Sequence, residues 1–355
     1  MNAARAWGLL AALGVAAALL VVLAMGVGSV GWEPLAALWP WVGGQDGQRD
    51  PLLAQIVWDI RLPRALGAWA AGALLGLAGA VAQGLFRNPL ADPFLLGSAA
   101  GASLAVALTL VALGGGAGML GGAVGPTWSV LSPHLGVRLG LTGAAFVGAL
   151  AAVLLTLTLA RGVQHTLRLL LAGVVVGVVL GAATQFVLLL APDALQAMQA
   201  FLLGSTAFVG WSAAGLMLAA VGLCTLAAVG LARALDALAL GEATAASLGL
   251  PLAAMRAALV AVLALATASA VAQTGLIAFV GLAAPHLVRT RVHATHGWLM
   301  VLAAAMGGAL LLAADTLARG WLAPQELPVG VLTAVLGGGY LLWLMHRGRL
   351  RGQGV

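Results

Sequence analysis

Apolar residues fall in runs of about twenty, separated by short stretches that collect Arg, Asp, Glu, Pro and His. A helix rises about 1.5 Å per residue and the hydrocarbon core of a bilayer is about 30 Å thick, so a run of this length is a membrane span. The runs lie at roughly 6–30, 65–86, 95–113, 139–160, 168–190, 212–232, 256–273, 277–292, 298–318 and 329–346. They predict an all-α polytopic membrane protein of about ten transmembrane helices, forming one domain over residues 1–355. The first run exceeds the apolar stretch of about 7–15 residues that marks a signal peptide, and is read as a span. Gly31 to Asp59 carries Trp32, Trp39, Trp41 and Trp58 among Pro, Gly and acids, which suits a loop at the aromatic membrane interface. Other connections are Gly-rich (Gly114 to Gly136), short and polar (Arg161 to Arg168), and longer, about 236–255, with Asp236, Glu242 and Gly249.

Ten spans put both termini on one side, and the tail from His346 through Arg347, Arg349 and Arg351 assigns that side to the cytoplasm. Eleven of the sixteen arginines then lie inside. The exceptions are Arg49, Arg61, Arg64, Arg138 and Arg319, of which Arg61, Arg64 and Arg319 stand at the outer ends of spans.

Composition narrows the function. Charged residues are 7% of the chain, against about 25% in soluble domains. The formal charge of +6 comes from scattered arginines without a basic stripe, which excludes a nucleic-acid partner. With no Lys, the chain has no P-loop of the G-x-x-x-x-G-K-[ST] type, so if ATP drives the protein, another chain binds it. The single Cys224 forms no internal disulfide and is read as helix packing, and fifty Gly predict close helix crossings.

Several motifs stand out. Pro63 in Arg61-Leu62-Pro63-Arg64 marks a helix start. In Phe86-Arg87-Asn88-Pro89-Leu90-Ala91-Asp92-Pro93, two prolines bracket an Asn and an Asp able to bond nearby backbone, which makes a stiff turn. Gly275 to Arg289 sets Gly and Pro in apolar sequence, as in broken helices that line cavities, or in ordinary kinks. Ala80-Val81-Ala82-Gln83 recurs at 270–273, a hint of an inverted repeat. Asp315 reaches Arg319 at i+4. His293 and His296, at i,i+3, share a helix face if helical, but with no third ligand they make no metal site, and no cofactor is expected. An intramembrane hydrolase would need Ser205 or Ser212 beside a His base, and no His stands well inside a span on a partner helix. A secondary transporter would place ionisable groups near mid-membrane, and the spans are almost bare of them.

Together, R-L-P-R, F-R-N-P-L-A-D-P-F-L-L-G, F-V-G-L-A-A-P-H-L-V-R, A-D-T-L-A-R (314–319) and E-L-P-V-G-V-L-T-A-V-L-G-G (326–338) resemble the FecCD family of ABC permeases over most of residues 55–345. The resemblance implies a type II ABC importer permease fold of ten helices. It also implies a homodimer, two cytoplasmic ATPase subunits and a periplasmic binding protein. Its substrates would be ferric siderophores, haem or cobalamin, with iron chelates favoured. Carried over by motif, Arg61, Arg64 and Arg319 would dock the binding protein. Gly241, Glu242, Ala245, Ala246, Leu248 and Gly249 would form the coupling helix that seats in the ATPase. Gln164, His165, Thr166 and Leu167 would form the cytoplasmic gate, although His165 and Leu167 depart from that family's small hydroxylic pattern.

Overall fold

A computed structural model describes residues 3–28, 31–32, 55–114, 135–160, 166–247, 249 and 251–350. Each of the ten apolar segments carries a helix: α1 (Ala3–Met25), α2 (Leu62–Phe86), α3 (Ser98–Gly114), α4 (Leu135–Leu159), α5 (Thr166–Leu190), α7 (Trp211–Gly230), α10 (Leu252–Thr274), α11 (Val280–Arg289), α12 (His296–Gly320) and α13 (Val329–Leu350). Among the described residues, three shorter α-helices lie between them, α6 (Pro192–Leu203), α8 (Ala232–Ala239) and α9 (Glu242–Ser247). The strands β1 (Val27–Gly28) and β2 (Gly31–Trp32) pair antiparallel after α1. Residues Val57–Arg61 form a π-helical turn that runs into α2, so the second span begins earlier than its apolar run suggests.

Among the described residues, seven helices are long and apolar enough to cross a bilayer. The apolar parts of α3 and α13 are shorter, and α11 has only ten residues, about 15 Å of rise. The continuous span expected at 277–292 is therefore a broken one. Gly275 ends α10 at φ 69°, a left-handed value that costs glycine little, and Phe279 turns the chain into α11 at φ 68°. Unwound backbone within a membrane needs partners. It has them: the Leu276 amide donates to the Phe201 carbonyl at 3.0 Å, and the Ser205 amide donates to the Thr274 carbonyl at 2.8 Å.

Helix α2 is the axis of the bundle and is buried along nearly its whole length, whereas α5 exposes Val175, Val178, Val179 and Phe186 as an apolar outer face. Small residues make the crossings close. A Cβ on Gly72 or Gly76 would collide with the α12 backbone at Gly307 and Ala303, and one on Gly101 with Gly148 of α4. Pro285 lacks the N–H that would bond the Gly281 carbonyl, and that carbonyl abuts Gly79 of α2, where no side chain fits.

The bundle has two distinct ends. Trp7 meets Trp298 edge-on at 4.9 Å, which brings together the starts of α1 and α12. At the opposite end, Arg61 and Arg319 bond carbonyls at the end of α1 and in β1.

Candidate functional site

Arg61, Arg64 and Arg319 are brought together at that second end, where Arg64 and Arg319 share one internal ion network. They are only 8%, 7% and 2% exposed. Asp315, fully buried on α12, is the centre: Arg64 Nε and Nη2 donate to its Oδ1 at 3.3 and 3.1 Å, and the Thr206 hydroxyl donates to the same oxygen. Arg319 Nη2 stands 3.1 Å from Asp315 Oδ2, the i,i+4 pair expected from sequence. The two atoms are off the hydrogen-bonding direction, so their attraction is Coulombic. Arg319 Nη1 donates to the carbonyls of Ala24 and Val27 at 3.2 and 3.4 Å, and Arg61 Nη1 donates to that of Met25 at 2.9 Å. A Cβ on Gly28 would meet the Arg61 guanidinium, which would then have to shift.

The exposed margin of the network is Glu326, whose side chain is 30% accessible and accepts from Arg64 Nη1 at 2.8 Å. Two acids thus balance Arg64 and Arg319, and the network ties α1, α2, α12 and the loop after α6 at one point. In this arrangement the guanidinium groups are held on Asp315, Glu326 and the carbonyls at the end of α1 and in β1. Sequence reading paired Asp315 with Arg319 but missed Thr206 and Glu326, which are distant in sequence and carry no local pattern.

At the Trp7–Trp298 end lies the segment matched to a coupling helix. Gly241 at φ 109° and Gly249 at φ 72° bound the six-residue α9, and the Ala245 amide donates to the Gly241 carbonyl at 3.0 Å. Ala245 is fully buried against the protein, while Thr244, Ser247 and Gly249 are exposed. Leu248 and the side chains of Glu242 and Ala246 lie outside the described residues. Ahead of α9, α8 buries Leu235 and Leu238 and presents Asp236 to the first residue of α12. Asp236 Oδ1 accepts the His296 amide at 3.0 Å and lies 2.7 Å from His296 Nδ1. His293 and His296 share no helix face: His293 lies exposed in the loop before α12.

Of the expected gate, Gln164 and His165 lie outside the described residues, as does the side chain of Thr166. Thr166 opens α5 and Leu167 is 70% exposed. The neighbouring stiff turn forms as expected: Asn88 Oδ1 accepts from the Leu90 amide at 2.9 Å and Asp92 Oδ1 from the Phe94 amide at 2.8 Å. Burial pushes the Asp92 carboxyl above its ordinary range, partly offset by that amide. The turn is clamped to α4 and α5, since Thr156 donates to the Leu96 carbonyl at 3.0 Å and Gly173 abuts the Leu95 carbonyl.

The two Ala-Val-Ala-Gln segments point to opposite ends. Gln83 bridges α2 to α11, donating to the Leu282 carbonyl at 3.3 Å and accepting from Arg289. Gln273 instead lines a cavity of about 50 Å³ near the arginine end, with Ser205, Phe208 and Thr142. Among the described residues no His lines it, and the Ser205 hydroxyl oxygen accepts from the Ala207 amide at 3.2 Å. Ser212 is exposed at the start of α7. Among the described residues, no Ser-His pair forms at either serine.

A profile of the FecCD transport family matches residues 16–347. The hemin transport system permease protein HmuU of Yersinia pestis is 38% identical over 342 residues, 95% of each chain. The vitamin B12 import system permease protein BtuC of Pectobacterium atrosepticum is 35% identical, over 88% of this chain and 87% of its own. A solved structure described as an inward-facing conformation of a metal-chelate type ABC transporter superposes with a TM-score of 0.78 at 26% identity, covering 95% of this chain and 98% of the other.

Proposed function

Because the chain belongs to the FecCD transport family, we propose that it is the membrane-spanning permease subunit of an ABC importer that carries a metal chelate, haem or an iron-siderophore, into the cytoplasm. The observation that carries this reading is the polarity of the bundle. A Gly-bounded helix with an exposed small-residue face lies at one end, an arginine cluster lies at the other, and α12 joins them. In this reading α9 seats in a separate ATPase subunit, one on each of two permease copies. The α4–α5 junction, Gln164 to Leu167, closes the inner mouth of the pore. The arginine end faces a periplasmic binding protein, both termini are cytoplasmic, and lipid surrounds the bundle.

Cobalamin is the second reading, favoured by the likeness to the vitamin B12 permeases. Vesicles holding this chain, its ATPase and its binding protein should take up chelate only with ATP inside and binding protein outside, and without an ion gradient. Uptake that followed an ion gradient would refute the proposal. Whether the cognate binding protein holds haem, a ferric siderophore or cobalamin decides between the substrates.

A further inference from the structure

Helix α12 begins without a cap of its own. The residue at its N-cap, Thr295, places no side-chain oxygen on the first-turn amides, which otherwise have no partner within a helix. Asp236 of α8 supplies the missing acceptor from outside, at 3.0 Å from the His296 amide and 2.7 Å from its ring nitrogen. A carboxylate there also meets the positive end of the helix dipole. The joint is tight: a Cβ on Gly84 of α2 would stand 3.1 Å from both the His296 ring and the Leu235 side chain, and one on Gly297 would stand 3.4 Å from Ala232. Only Leu240 and Gly241 separate α8 from α9.

We propose that Asp236 and His296 are positioning residues that transmit movement of the coupling segment into α12. The proposal rests on α9 being the contact to the ATPase. A push on α9 reaches α8 through two residues, and the Asp236 carboxylate hands it to the first turn of α12. That helix, 25 residues long, is a rod of about 37 Å whose far end holds Asp315 and Arg319. Motion at the coupling end thereby arrives at the arginine end without passing through the soft break at 275–279.

The test compares reconstituted complexes by chelate taken up per ATP hydrolysed. Asp236→Ala should still co-purify with the ATPase and hydrolyse ATP, but lower the ratio about tenfold, the loss expected when hydrogen bonds to a charged group are removed. Asp236→Asn keeps an acceptor oxygen for His296 and should recover most of the ratio. His296→Ala, which leaves the backbone cap in place, should fall between them and serves if Asp236→Ala does not fold. An unchanged ratio in Asp236→Ala, or loss of ATPase co-purification in His296→Ala, overturns the proposal. An unmodified complex with no ATP-driven uptake would sink the importer reading instead.

Discussion

Asp315→Asn is the sharpest probe of the arginine end. The change keeps the shape of the side chain and an acceptor for Thr206, but it removes the one buried anion between two buried cations. The amide nitrogen must also face a guanidinium, donor against donor, on one side or the other. Breaking one partner out of a buried pair costs about 3–5 kcal/mol, because the remaining charge stays desolvated. Arg64 keeps Glu326 and Arg319 keeps three backbone carbonyls, which argues for the lower half of that range. Glu326→Gln is the internal control: its side chain is 30% exposed, so its loss should cost only about 0–1 kcal/mol. Equilibrium unfolding in mixed micelles, followed by helical circular dichroism, measures both. Replacing Arg64, Asp315 and Arg319 together by Met, Leu and Met should cost less than Asp315→Asn alone, since the charge that loses its partner, Glu326, is 30% exposed and not buried. Equal losses for Asp315→Asn and Glu326→Gln would refute the account of a desolvated network.

Gly79→Ala should destabilise by about 1–3 kcal/mol in the same assay, because its Cβ meets the Gly281 backbone, while Gly222→Ala, with nothing within 4 Å, should be neutral or slightly favourable. Thr244→Trp, on the exposed face of α9, should weaken ATPase co-purification with the permease fold intact, whereas Ala245→Trp should unfold the segment itself, as melting of the isolated permease would report. Burial raises the Asp92 carboxyl above its usual 3.8, so the folded chain holds this proton more tightly than the unfolded one. Its contribution to stability is then greatest below the unfolded value and falls as pH rises through the folded value; Asp92→Asn, which keeps the acceptor for Phe94, should remove that decline in melts taken across the acid range. Glu326→Gln frees one arm of Arg64 and should speed association with the binding protein at low salt, an advantage that shrinks as salt is added, measurable by surface-immobilised kinetics.

Helix positions were legible because spans announce themselves by length and hydropathy, and the Asn88 and Asp92 turn because its bonds reach only two residues along the chain. The break at 275–279 was half legible. Gly275 and Pro285 signalled it, but Phe279 at a left-handed φ has no sequence mark, since that conformation is imposed by the surrounding packing. Helices α6 and α8 escaped notice because each is short, lies beside a long apolar run and has no apolar stretch of its own that could span. The partners of Arg64 escaped for a different reason: Asp315 and Glu326 lie 251 and 262 residues away, and only the fold brings them near.

The arginines that sequence reading counted as exceptions to positive-inside placement show how burial changes the meaning of a charge. As sequence, Arg61, Arg64 and Arg319 were three cations on the wrong side, and a partner was needed to account for them. As structure, Arg64 and Arg319 are matched by Asp315 and Glu326, and Arg61 rests on a backbone carbonyl, so much of the charge that opposed the topology is compensated within the chain. Of the Arg64–Glu326 pair, Glu326 is the accessible member. Docking through these arginines therefore requires an incoming carboxylate to compete with Glu326, an exchange of one ion pair for another that is nearly balanced in energy. A contact of that kind fixes orientation and releases readily, which is what a binding protein that docks and departs in every transport cycle would need.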